Sequence, residues 1–109
     1  MPDYLLQISF TPEAVATLVT NPQNREEVAS SLIESLGGKL KGYWLALGDY
    51  DVVEIASLPD NVSELALSMA VMGGGAVRVF KTTPLLSVNE GIEAMKKASG
   101  LGYKPPAKS

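Results

Sequence analysis

A chain of 109 residues, 46% of them apolar and with a formal charge of −3, has the size and composition of one soluble domain around one core. It contains neither Cys nor His, which excludes thiol nucleophiles, Ser-His-Asp relays, disulfides and the usual Cys/His zinc sites. There is no basic run to neutralise phosphates and no apolar run near the ~20 residues of a membrane helix, so neither nucleic acid nor membrane is an expected partner.

The opening "MPDYLLQISF" lacks the regions of a secretion signal, and together with the missing cysteines this points to a cytoplasmic location. From Asp3 to Phe10 the residues alternate with period 2, which predicts a strand with apolar residues on both faces. Thr11-Pro12 predicts a helix start, and Asn21-Pro22 a break. Asn24 with Glu27 is a capping-box pattern ahead of the stripe Val28, Leu32, Ile33 and Leu36, and Gly37-Gly38 closes that helix.

Lys39–Leu47 and Tyr50–Ser57 read as two strands joined across Gly48-Asp49-Tyr50-Asp51, a hairpin signal. A helix capped by Asp60 or Asn61 follows, with Leu65, Met69 and Met72 expected on its inner face and Gly73-Gly74-Gly75 at its end. Ala76–Thr83 is a fourth strand, and Ser87 with Glu90 opens a last helix. The order is β-α-β-β-α-β plus one helix: an α+β, ferredoxin-like antiparallel sheet with expected strand order 4-1-3-2. Residues 1–99 form this domain, and 100–109 read as a mobile tail rich in Gly, Pro and Lys.

Two main helices cover one sheet face, leaving the other open. Alternation predicts Val53, Ile55, Val77 and Val79 on the helix side. It puts Leu5, Gln7, Ser9, Tyr50, Val52, Glu54, Ala56, Arg78 and Phe80 on the open side, joined by some of Tyr43, Trp44 and Leu45. Burying one large apolar side chain is worth ~1.5–3 kcal/mol, so a half-apolar open face predicts a second copy stacked on it. The product is a homodimer, or a higher homo-oligomer, of the dimeric α+β barrel type.

The segments "LGDYDVVEIASLPD", "SLGGKLKGYWLALGDYD", "MAVMGGGAVRVFKTTPLLS" and "YLLQISFTPEAV" resemble the GYD domain family over roughly residues 3–98. Gly48-Asp49-Tyr50-Asp51 matches its namesake residues, with an Asp where many members carry another residue. The resemblance implies a dimeric α+β barrel and no particular activity. Its relatives in that fold include cofactor-free monooxygenases, heme-using enzymes, isomerases and ligand-sensing modules, among which fold analogy does not choose.

Two groups of residues are candidate sites. In the Gly48–Asp51 turn, Tyr50 and Asp51 act either as turn and strand-start residues or as acid/base and ligand groups. On the open face, Gln7, Ser9, Glu54 and Arg78 are expected to converge, either as a Glu–Arg pair that sets interface register or as a binding site with Glu54 as base and Arg78 holding an anion. Trp44 is core, interface or part of that ligand site. Gly73-Gly74-Gly75 follows a helix rather than leading into one, the wrong direction for a phosphate loop. No metal or cofactor is expected. The reading that follows is a small homo-oligomer binding a small organic ligand in a cleft at the sheet face. Two alternatives stay open: a cofactor-independent oxygenase or isomerase using the same cavity, and a purely structural or regulatory interaction module.

Overall fold

The computed structural model describes residues 1–107. Eight elements follow in order: β1 Asp3–Phe10, α1 Pro12–Thr20, α2 Arg25–Ser35, β2 Lys39–Leu45, β3 Val52–Ser57, α3 Asn61–Gly73, β4 Val77–Leu85 and α4 Val88–Ser99. This is a small α+β fold with one four-stranded antiparallel sheet, ordered β2-β3-β1-β4, and four helices. The strand order is the one expected from the element pattern. The expected tail includes Lys108 and Ser109, which lie outside the described residues. Among those described, no helix is long and apolar enough to cross a membrane.

Local chemistry starts each helix. The Thr11 hydroxyl accepts from Ala14 N, with Pro12 at the first helical position. Asn24 accepts from Glu26 N, and Ser87 with Glu90 forms a complete capping box. Asp60 caps α3 by accepting from Ser63 N at 2.8 Å. These bonds satisfy amide donors that a helix leaves without partners.

The β2–β3 connection runs from Ala46 to Asp51 and is tied to the end of β1. Asp51 Oδ2 accepts from Phe10 N at 2.8 Å, Asp51 N donates to Ile8 O at 2.8 Å, and Ser9 Oγ donates to Asp49 O at 2.6 Å. Gly48 adopts φ +101°, a conformation glycine takes without strain. Three bonds from adjacent residues of β1 therefore fix where β3 begins, and so the face each of its side chains takes.

Three cross-strand rows form the helix-side face. Leu40, Ala56, Tyr4 and Pro84 make one; Tyr43, Glu54, Leu6 and Thr82 the next; Leu45, Val52, Ile8 and Phe80 the third. The open face carries Leu5 and Gln7 of β1, Trp44 of β2, Val53 and Ile55 of β3, and Val79 and Lys81 of β4. This reverses the alternation expected for β3: Val52, Glu54 and Ala56 point to the helices, and Val53 and Ile55 point away. The sequence supports either parity, because both alternate sets carry apolar residues, and the bonded turn selects the one that buries Glu54.

On β4 a bulge causes the discrepancy. Ser9 pairs with Val79 but Phe10 pairs with Val77, leaving Arg78 as the extra residue. Val77 is on the helix side as expected, whereas the parity change sends Val79 to the open face and Phe80 inward. A second correction concerns α3. Leu65, Met69 and Met72 are exposed, and its inner face is Glu64, Leu67 and Val71, at i, i+3 and i+7.

The core lies between the sheet and α2 and α3. Tyr4, Leu6, Ile33, Ala56, Leu58 and Leu67 form its main cluster, and Ile8, Val52 and Val77 a second. α2 packs on β2 and α3 on β4, the two outer strands, so the helices straddle the central strands β3 and β1. α4 buries none of its residues and exposes Val88, Ile92 and Met95 in one stripe. The radius of gyration, 18.0 Å, exceeds the ~13 Å of a compact chain this long.

Candidate functional site

The gap between the two straddling helices is a chamber of about 450 Å³ over the central strands. That is within the ~300–1,000 Å³ of small-molecule pockets. Its walls are mainly apolar, from Ile8, Val52, Leu67, Val71 and Phe80. Ala14, Thr17 and Leu18 of α1 contribute to another side, together with Gln23 and Arg25. Gly74 of the triple glycine also lines it.

Glu54 lines this chamber from β3 and is 4% exposed. No described residue hydrogen-bonds or ion-pairs with its carboxyl group. Burial, helped by the negative charge of Glu64, pushes Glu54 up to about 7. At neutral pH the group therefore divides between acid and carboxylate. Tyr43, directly opposite on β2, also lines the chamber, and its phenol is pushed up to about 12 by burial and then by Glu54.

Glu64 approaches from α3. Its Oε2 accepts from Thr82 Oγ1 at 2.9 Å, while Oε1 is buried without a partner among the described residues. Burial raises this carboxyl too, opposed by the Thr82 bond. Two acids thus share the helix-side half of the fold, and Glu54 is the one facing open space.

The residues expected to converge do not meet. Gln7 is half-buried on the open face, the opposite side of the sheet from Glu54. Ser9 is buried and spends its hydroxyl on Asp49 O. Trp44 is 54% exposed on the open face, its ring lying over Gly42, where any side chain would collide with it. Arg78 is exposed at the bulge and forms no pair with Glu54. Asp51 binds backbone, and Tyr50 is half-buried in the same connection with no side-chain hydrogen bond among the described residues. Of the candidates, only Glu54 reaches the chamber.

Sequence reasoning missed Glu64, Tyr43 and Arg25 as chamber or near-chamber groups. Glu64 lies in the first turn of α3, where an acid ordinarily serves the helix terminus, but the cap is Asp60. The available signal was spacing: an acid at i with Leu67 at i+3 and Val71 at i+7 lies in the apolar stripe.

The chain is a small α+β module with a buried acid, unpartnered among the described residues, in an apolar chamber. It belongs to the GYD domain family, whose family model matches residues 4–95. It is also 26% identical over 87 residues, 78% of this chain and 92% of the relative, to a Thermus thermophilus protein named glutamine synthetase and cystathionine beta-lyase binding protein. No solved structure matches the chain.

Because the folded Glu54 carboxyl holds its proton more tightly than an ordinary glutamate with its value of 4.5, the folded state binds more protons than the unfolded one between that value and about 7. Stability falls as pH rises through this window, by about 3 kcal/mol in all if the whole shift is expressed. Urea unfolding at pH 5 and pH 8 should show this slope, and Glu54→Gln should flatten it and be the more stable form at pH 8 by roughly 1–3 kcal/mol. Parallel pH dependence in the two proteins would show that Glu54 is not the titrating group.

Proposed function

We propose that this protein is a small-molecule-binding module whose ligand occupies the chamber between the helices and the sheet. One observation carries the reading: the Glu54 side chain is buried, and its carboxyl, with no hydrogen-bond partner among the described residues, opens onto an apolar space large enough for a metabolite-sized guest. Buried polar groups ordinarily have partners, and one left open to a cavity is a seat for a ligand group. This moves the binding site from the open sheet face, where the sequence put it, to the helix side. A cofactor-independent oxygenase or isomerase would use the same carboxyl as its base, since a pKa near 7 suits proton transfer. Tyr43 and Arg25, rather than Arg78 and Tyr50, would then steady the negative charge.

Val71→Phe places a ring into the chamber. A hollow site predicts unchanged or increased stability, together with loss of ligand-induced thermal stabilisation or turnover that the parent protein shows with a metabolite panel. A destabilisation of ~1–3 kcal/mol, the usual result of overfilling a packed core, would argue that no usable space exists.

A second reading rests on a different surface and is compatible with the first. The open face groups Leu5, Trp44, Val53, Ile55 and Val79, a more apolar set than the alternation first suggested. We propose that a second copy covers this surface in a ferredoxin-like dimeric barrel, with self-complementary contacts between equivalent sheets. The name of the Thermus thermophilus relative, a binding protein for two enzymes, supports use of such surfaces for protein contact more broadly. Light scattering should return twice the 11.5 kDa chain mass. A mass of one chain at high concentration would contradict the dimer.

A further inference from the structure

The polar groups around the chamber are unequal in sign. Glu54 of β3 enters it directly, and Glu64 of α3 stands close enough to raise Glu54 by its charge. β2 adds the Tyr43 phenol, neutral at physiological pH like any tyrosine. β1 presents Ile8 and Phe10, β4 presents Val77 and Phe80, and α1 presents Ala14, Thr17 and Leu18, none of them charged. Among the described residues, the cation lining the space is Arg25 of α2, an exposed residue whose Nη1 already donates to Gln23 Oε1 at 3.0 Å.

We propose that the chamber selects an organic ammonium, a primary amine on a compact apolar body, with its nitrogen seated at Glu54. The proposal rests on the ligand-binding reading above and adds the chemical class. Glu54 is an acceptor without a donor, and an ammonium supplies donors and the missing positive charge together. Glu64 leaves a second oxygen, Oε1, without a partner on the same side of the sheet. Tyr43 and Phe80 line the space with aromatic rings, whose faces attract cations. The apolar walls take the rest of the guest. An anionic guest would bring a third negative group beside two acids, and a neutral hydroxyl guest would donate one hydrogen bond to Glu54 but leave its charge unpaired. Seating a cation requires the carboxylate form, so binding releases a proton whenever Glu54 starts protonated.

The test is calorimetric titration of the full chain with four probes of one size: benzylammonium, benzyl alcohol, benzoate and toluene. Benzylammonium should bind at least about tenfold more tightly than the other three at pH 8, and its affinity should fall about tenfold between pH 8 and pH 6 as Glu54 takes up its proton. In Glu54→Gln the preference over benzyl alcohol should vanish while toluene binding persists. Equal or tighter binding of benzoate, benzyl alcohol or toluene to the parent protein overturns the ammonium assignment and leaves the chamber reading standing. A preference for benzylammonium that survives Glu54→Gln overturns Glu54 as its seat. Failure of all four probes to bind overturns the chamber reading as well.

Discussion

Turning Glu54 toward the helices removes a carboxyl group from water at the centre of the sheet, and the rest of the architecture is consistent with that placement. A carboxylate in an apolar setting is costly enough that the group gives up its charge instead, which is why its pKa rises to about 7. The fold tolerates it because α2 and α3 rest on the outer strands and leave space over the inner two. Had a helix lain directly over β3, Glu54 would need a protein donor there; Tyr43 and Thr82, its neighbours in the same row, supply none.

What holds Glu54 in that orientation lies three residues earlier in the chain. Asp51 accepts from Phe10 N and donates its own N–H to Ile8 O, and Ser9 reaches Asp49 O, so the connection and the end of β1 are joined as one unit. Side chains alternate along a strand, and fixing its first residue fixes every face after it. The family's namesake residues thus act through geometry: Gly48 permits the reversal, and Asp51 sets the parity. The consequence is felt on both faces, since the same parity sends Val53 and Ile55 outward to make the open side apolar.

Much of the fold was readable from residue pattern. The alternation of β1, the Thr11, Asn24 and Ser87 caps and the glycine stops placed the elements within a few residues, because these signals are local. The faces were less accessible for physical reasons that differ by element. In β3 the sequence "VVEIAS" offers apolar residues on both sides, and the choice depends on hydrogen bonds to a strand 40 residues away. In β4 an unpaired Arg78 changes the parity midway, and nothing local marks a bulge. In α3 the exposed methionines were more conspicuous than the Glu64, Leu67, Val71 stripe, because a buried acid contradicts the ordinary expectation that charge faces water. Glu54 is the one expected site residue that faces the chamber, and its expected company is elsewhere: Arg78 and Gln7 are on other surfaces, while Tyr43 and Glu64 are beside it.

The central claim is that Glu54 stands in an apolar, unpartnered setting and exchanges its proton near neutrality. Carbon-13 NMR of the glutamate carboxyl groups, followed through a pH titration with Glu54→Gln identifying the resonance, reads this directly. A midpoint near 7 for Glu54 is the expected result. A midpoint near the ordinary glutamate value of 4.5 would mean that water or a donor reaches the group, and would contradict the account.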